Sequence, residues 1–454
     1  MKSFVFATAL CLLVAPMARG DTPPPQQPLL RAVAADVAPD RLRATITKLV
    51  GFGTRHTMSD TRSNRRGIGA ARRWVESEFR ALGASCGGCL EIATPSETVT
   101  GNRIATPTEV VDVLAIQRGV SDPGRVIVIS GHIDSRVTDV ADATSDAPGA
   151  NDDGSGVAAV MEAARVLSKH RFAATLVYAV LSGEEQGLYG GGILARYAKA
   201  RGWQVEADLN NDIVGNTHGQ SGGIDAAHVR VFSEGTRATE TQDEANKRRY
   251  NGGELDTPSR NLARFIDGLA ERYLTGFAVT MVYRTDRFSR GGDQVRMLEA
   301  GYPSVRITEA AENYTRQHQN LRTEGGVRYG DVIDGVDFPY LAQVTRLNVL
   351  AMAAMGMAPA PPSGVDLAGA VSADTTVKWS PVAGASDYRV WWRATTDPRW
   401  TFSRASGGAT ELKLSNVVID DWFFGVSAIS ADGFESPVVY PGVAGAFFPP
   451  PVAP

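Results

Sequence analysis

Short, continuous apolar runs alternate along this chain with stretches in which apolar residues recur every three or four positions. Residues 125–130 (Arg125 through Val126, Ile127, Val128 and Ile129 to Ser130) and 175–181 are unbroken apolar runs, the pattern of strands covered on both faces. Residues 110–116, 207–214, 278–283 and 304–308 read as further strands. Between 69 and 82, Ala71, Trp74, Val75, Phe79 and Leu82 fall at helical spacing, and the same period predicts helices from Pro39, over 156–169, 191–201, 258–274 and 338–355. Strands alternating with helices predict an α/β fold, a mostly parallel sheet sandwiched by helices. Residues 21–38, rich in Pro and Ala, read as a flexible lead-in. Residues 215–257 are polar and Gly-rich, and read as an inserted lobe or long loops able to wall off one side of a cleft.

The pattern changes after residue 357. Residues 358–364 form a Pro-rich linker, and short aromatic strands follow at 377–379, 388–393, 411–414 and 422–428. Turn signals at that spacing predict an all-β sandwich. Trp379-Ser-Pro, Tyr388-Arg-Val, Phe424-Gly-Val-Ser-Ala and Asp432-Gly-Phe-Glu-Ser resemble a fibronectin type III domain over residues 365–445, with Trp379 and Tyr388 as core packing. The linker predicts a boundary with few crossing contacts. The sandwich could bind a polymer or a surface, or act as a spacer.

At the other end, Lys2, an apolar stretch from Phe4 to Val14, and Ala18-Arg19-Gly20 read as a signal peptide over residues 1–20. The expected mature protein, starting at 21 with a main domain over 21–357, is exported to the periplasm or the medium. Removing 1–20 takes Lys2 and Arg19 and no acid, so 46 basic against 50 acidic residues become 44 against 50, net −6. That balance offers no electrostatic reason for nucleic acid. No later run approaches the length of a membrane span, so no membrane insertion is expected. Cys86 and Cys89 read as a local disulfide in an exported protein.

The chemistry-bearing residues sit where the strands end. Gly131-His132-Ile133-Asp134-Ser135 closes one strand, Gly183-Glu184-Glu185-Gln186-Gly187 follows the next, and Asn151-Asp152-Asp153-Gly154-Ser155-Gly156 opens a helix. Open α/β sheets build sites at the carboxyl ends of their strands. One His, one Asp and one Glu converging there suit a divalent metal, zinc foremost. Asp134 is positioned to accept the other ring N–H of His132 and fix its tautomer. Asp153 or Ser155 reads as a helix cap, leaving Asp152 free to ligate. Of Glu184 and Glu185, one can bind metal while the other faces substrate as a base. Asp212, at a later strand end, and His318, in a polar loop, are the further ligand candidates. His56, His170, His218 and His228 lack such a setting.

His-x-Asp, Asp-Asp-Gly-Ser-Gly, Glu-Glu, a strand-end Asp and a late His, in that order over residues 40–356, resemble the zinc aminopeptidase family M28, in particular its secreted bacterial leucyl-type aminopeptidases. The resemblance implies two zinc ions, one on His132 and Asp212 and one on Glu185 and His318. It implies further that Asp152 bridges them, that Glu184 is the general base, and that the Asp152–Asp153 peptide is cis. The implied activity is release of N-terminal residues from peptides. Two positions depart from the pattern: Gly292-Asp293-Gln294 stands where many members have Ser-Asp-His, and Gln317 stands where several have a Tyr that holds the oxyanion. Arg287, Tyr314 and Arg316 are the substitutes near in sequence. Rival readings are a carboxypeptidase on the same fold, kept open by Arg284, Arg287 and Arg290, a dipeptidase, a single-zinc glutaminyl cyclase, and a non-enzymatic binding protein on the scaffold.

Overall fold

The apolar runs build one eight-stranded sheet in a computed structural model that describes residues 26–448. In chain order the strands are β1 (Leu90–Ala93), β2 (Val113–Gln117), β3 (Asp122–His132), β4 (Ala174–Leu181), β5 (Gln204–Asn211), β6 (His228–Phe232), β7 (Ala278–Val282) and β8 (Ser304–Glu309). Their order across the sheet is β1-β2-β4-β3-β5-β8-β6-β7. The middle four, β4, β3, β5 and β8, are mutually parallel, while β1, β2 and the β8–β6 pair are antiparallel. Every residue of β4 is buried, which is why its sequence shows no alternation.

The two faces are still separable by parity, as the pleat requires. Ile127, Ile129, Leu176, Tyr178 and Val180 face helices α1 (Pro28–Asp36), α2 (Pro39–Val50), α3 (Gly67–Ser85), α4 (Gly154–Leu167) and, beyond them in the chain, the closing helix 338–357. Val126, Val128, Val177, Ala179 and Leu181 face α5 (Tyr189–Ala200) and the short helix at 294–299. The closing helix is buried along nearly all of its length, consistent with its weakly amphipathic sequence. Cys86 and Cys89 are joined by a disulfide.

Several expectations need correction. The lead-in at 28–36 is a helix, whose Leu30, Val33 and Ala34 pack into the core. The segment 215–257 contributes β6 to the main sheet and carries a helix, α6 (Gln242–Asn251). The apolar run at 110–116 breaks at Asp112, whose buried carboxylate accepts the Ser182 N–H at 3.0 Å. The signal-peptide reading of residues 1–20 lies outside the described residues.

The C-terminal strands are β9 (Asp366–Ala368), β10 (Thr375–Lys378), β11 (Ala385–Ala394), β12 (Phe402–Ala405), β13 (Glu411–Leu414) and β14 (Trp422–Ser430). They form two three-stranded antiparallel sheets, β9-β10-β13 and β12-β11-β14. Trp379 and Tyr388 pack together in the core of this unit, rings 5.4 Å apart. The boundary is not sparse in contacts. Arg393 donates to both oxygens of Asp256 at 2.9 and 2.8 Å, and both side chains are fully buried. Helix α7 (Pro258–Tyr273) supplies Arg264, which pairs with the same Asp256 at 2.9 Å, and Asp267, which pairs with Arg399 at 2.5 Å. Phe434 joins the main core.

Breaking one partner of a buried pair strands the other charge, a cost of about 3–5 kcal/mol. Arg393→Ala should lower the first denaturant-unfolding transition of the full chain by that amount. A loss under about 1 kcal/mol would show that the pair does not hold the two units together.

Candidate metal centre

The parallel strands end side by side, and each end delivers acid or imidazole. β3 ends on His132, β4 is followed by Glu184 and Glu185, and β5 is followed by Asp212. Asp152 comes from the turn that opens α4, and His318 from the loop after β8, at a positive φ of 53°. His132 Nε2 lies 3.3 Å from Asp152 Oδ1 and 3.8 Å from Asp212 Oδ1. His318 Nε2 lies 2.9 Å from Asp152 Oδ2 and 3.0 Å from Glu185 Oε1. Two groups of ligand-type atoms therefore form, His132/Asp152/Asp212 and Asp152/Glu185/His318, each with its atoms within 4.8 Å of one another. Asp152 belongs to both and offers one oxygen to each.

This donor set fits divalent cations. Among the described residues, His132 Nε2 and Glu185 Oε1 are buried and make no hydrogen bond, their close polar neighbours being the other ligand-type atoms, a costly state for polar atoms unless something else satisfies them. Imidazole and carboxylate together suit zinc. Burial tends to depress the imidazole of His318, but the Glu185 and Asp152 carboxylates outweigh it and push its pKa up to about 10. Burial works to raise Asp152, yet His318 and His132 hold it well below the usual carboxylate range. Burial likewise opposes Asp212, and Arg306, 2.6 Å from its Oδ2, keeps it low. Glu184 goes the other way: burial pushes its carboxyl well up, with Asp212, Glu185 and Asp293 adding to the effect and His132 opposing it.

A surrounding set of groups fixes these side chains. Asp153 caps α4, accepting from Gly156 N at 2.9 Å, and the Asp152–Asp153 peptide is cis. Asp331 accepts the backbone N–H groups of Asn151 and Asp152 at 2.9 and 2.7 Å. Arg55, fully buried, donates to the carbonyls of Ile133, Pro148 and Gly149. Arg136 donates to Glu185 Oε2 at 2.7 Å and lies 2.7 Å from His318 Nδ1. Asp134 stays beside the His132 ring and has a second role. His132 Nδ1 lies 3.1 Å from the Asp134 backbone carbonyl and 3.6 Å from its Oδ1. The Asp134 carboxylate also accepts the backbone N–H groups of Glu185 at 3.0 Å and Glu184 at 3.3 Å. It holds the Glu-Glu turn in place. Asp331, Arg55 and Arg306 escaped the sequence reading, because nothing in their local sequence marks them. Arg136 lay within reach of it, four residues after His132.

A cleft of about 580 Å³ opens over the two groups. Its walls are the hairpin tip at Asn102 and Arg103, the turn at 187–189, the segment 287–291 and His318. Residues 215–257 contribute no wall, contrary to expectation. Arg287 lines the cleft, Tyr314 lines an adjoining hollow beside His318 and Arg136, and Arg316 turns away to Asn216 Oδ1 and the Gly335 carbonyl. At the departure from Ser-Asp-His, Asp293 accepts the Gly191 N–H at 2.9 Å and Gln294 donates to Asp286. None of His56, His170, His218 and His228 joins either group.

Residues 112–324 match the family model described as Peptidase family M28. A "Probable zinc metalloprotease" of Pyrenophora teres f. teres is 44% identical over 427 residues, spanning 92% of this chain and 88% of that protein. A second protein of that description, from Leptosphaeria maculans, is 43% identical over 92% of this chain and 98% of its own length. These relatives are fungal, which corrects the expectation of a bacterial group. Among solved structures, LapB from Legionella pneumophila superposes with a TM-score of 0.54 at 19% identity, covering 74% of this chain and 76% of that one. The LapA aminopeptidase of the same organism gives 0.51 at 18%, over 77% and 78%. At such identity the likeness is one of fold. With the curated relatives aligned over nine-tenths of its length, the chain belongs to peptidase family M28 and is a zinc metallopeptidase.

Proposed function

We propose that the protein is an exported exopeptidase with two co-catalytic zinc ions that removes residues from the amino end of peptides. The observation that carries this reading is Asp152, with one oxygen in each of two ligand groups. His132 and Asp212 would hold one zinc and Glu185 and His318 the other. When bound, the metal pair supplies Lewis acidity at the scissile carbonyl and acidifies the attacking water. Glu184, half-buried in the cleft that opens over both groups, takes a proton from that water and returns it to the leaving amine. Arg287, lining the cleft, is the candidate donor to the developing oxyanion. Asp134 holds the turn carrying Glu184 and Glu185 through their backbone N–H groups. Export rests on the character of residues 1–20, and the fibronectin-like reading of 365–445 on its aromatic strand pattern. Binding of a polymer or surface by that unit stays a proposal of the same rank.

The alternative of a single-zinc cyclase is disfavoured by two complete ligand groups sharing one carboxylate. A scaffold kept only for binding has no need of the unsatisfied buried donor set.

Metal analysis of the full chain should return two zinc ions per chain. One or none, with the fold intact, would remove the co-catalytic model. Glu184→Gln should keep both metals while turnover falls by about 10²–10⁴; retention of more than about a tenth of the activity would reassign the base. Asp134→Asn should weaken zinc retention about 10–100-fold in competition with a chelator, and unchanged retention would show that the Glu-Glu turn holds itself. N-acetylation of a peptide should stop cleavage and C-terminal amidation should not. The opposite pattern would make the enzyme a carboxypeptidase.

A further inference from the structure

The cleft over the proposed metal pair is lined by five arginines, Arg103, Arg136, Arg287, Arg290 and Arg296, and by four carboxylates, Asp152, Glu184, Glu185 and Asp212. Those four are the proposed ligands and base, and two dications would balance them. Among the described residues the lining offers little to an apolar substrate side chain: Leu188 is its single aliphatic residue and Tyr189 its single phenol.

Arg136 pairs with Glu185 at 2.7 Å and Arg296 with Glu299 at 2.8 Å, whereas Arg103 and Arg290 are short of partners. Arg103 projects from the tip of the hairpin 96–111, where its Nη1 donates to the Glu185 carbonyl at 2.8 Å. It is exposed and forms no ion pair among the described residues. The hairpin is seated firmly, with the Tyr189 hydroxyl donating to the Thr100 carbonyl at 3.2 Å. On the opposite wall, Arg290 pairs with Glu312 at 3.0 Å, but the same carboxylate also serves Arg230 at 2.6 Å and Arg287 at 3.5 Å. Arg287 turns as well to Asp286, which is shared with Arg306. One carboxylate thus faces three guanidiniums, and Arg290 is the most exposed of them. Guanidinium forks on both walls of a concave site form a carboxylate receptor.

We infer that this cleft selects substrates that carry a carboxylate next to the scissile bond, with Arg103 and Arg290 holding it. The inference rests on the exopeptidase reading. The carboxylate has two sources that share this chemistry: an acidic side chain on the released residue, or the free C-terminus of a dipeptide.

The test uses the zinc-loaded full chain with Glu-Ala-amide, Leu-Ala-amide, Lys-Ala-amide and Leu-Ala. Expected is a kcat/KM at least about tenfold higher for Glu-Ala-amide or for Leu-Ala than for Leu-Ala-amide, with Lys-Ala-amide poorest. The first outcome assigns the side chain and the second the C-terminus. The preference should shrink as salt rises from about 50 to about 500 mM. Arg103→Gln and Arg290→Gln should each lower the acidic-to-neutral ratio about threefold or more, with unfolding temperatures checked alongside. Calorimetry, independent of turnover, should show L-glutamate binding more tightly than L-leucine. Leu-Ala-amide equalling both anionic substrates in the unsubstituted enzyme, at low salt, would overturn the inference and leave the exopeptidase standing. Cleavage of N-acetyl peptides alone would overturn the amino-end reading instead.

Discussion

One buried carboxylate ties the catalytic end of the sheet together. Asp153 accepts the backbone N–H groups of His132 at 2.9 Å, Gly156 at 2.9 Å and Ile213 at 3.3 Å. Those donors sit at the end of β3, in the first turn of α4 and just past β5, the three segments that bear His132, Asp152 and Asp212. Strand ends and helix starts carry backbone donors that the regular structure leaves unpaired, and here a single side chain collects them. The glycines around it follow from the same crowding. A Cβ at Gly156 would lie 2.3 Å from Asp153 Oδ2, and one at Gly131 would lie 2.8 Å from the Gly156 backbone. The Gly-flanked motif is the footprint of this junction as much as of the ligands.

The same device recurs around it. Asp331 takes the N–H groups of Asn151 and Asp152, Asp134 takes those of Glu184 and Glu185, and Glu309 takes that of Asn216 along with the Asn151 side chain. Arg55 supplies the opposite sense, donating to carbonyls on both sides of the turn. The ligand-bearing loops are therefore positioned by backbone hydrogen bonds to buried side chains, which fixes them before any cation arrives. The surrounding carboxylates favour protonation of both imidazoles while no cation is bound, and imidazole must be free of that proton to ligate a metal.

Continuous apolar runs made the central strands legible, and glycine beside acid at their ends made His132, Asp152, Glu184, Glu185 and Asp212 legible as a set. The losses have physical reasons. β6 was invisible because it is short and set in a polar segment; only Val229, Val231 and Phe232 are buried in it. α6 has no buried residue and no apolar stripe to read. Partners such as Asp331 for Asp152 lie 179 residues away, and no local pattern encodes that distance. The spacing of Asp134 from His132 marks it as a neighbour of the ring, 3.6 Å away, but gives no sign that its carboxylate also holds the N–H groups of Glu184 and Glu185.

The Pro-rich linker misled in a different way, because a flexible connection says nothing about the surfaces on either side of it. The C-terminal unit grips α7 through Asp256, Arg264 and Asp267. In turn α7 reaches the sheet: Ser259 Oγ accepts the Ser304 N–H at 3.2 Å, at the start of β8. That is the end of β8 away from the ligands, and among the described residues none beyond 357 lines the cleft. The unit thus bears on the stability of the sheet's far edge rather than on the chemistry. The distinction follows from strand polarity, since a parallel strand presents its chemistry at one end and is free to be braced at the other.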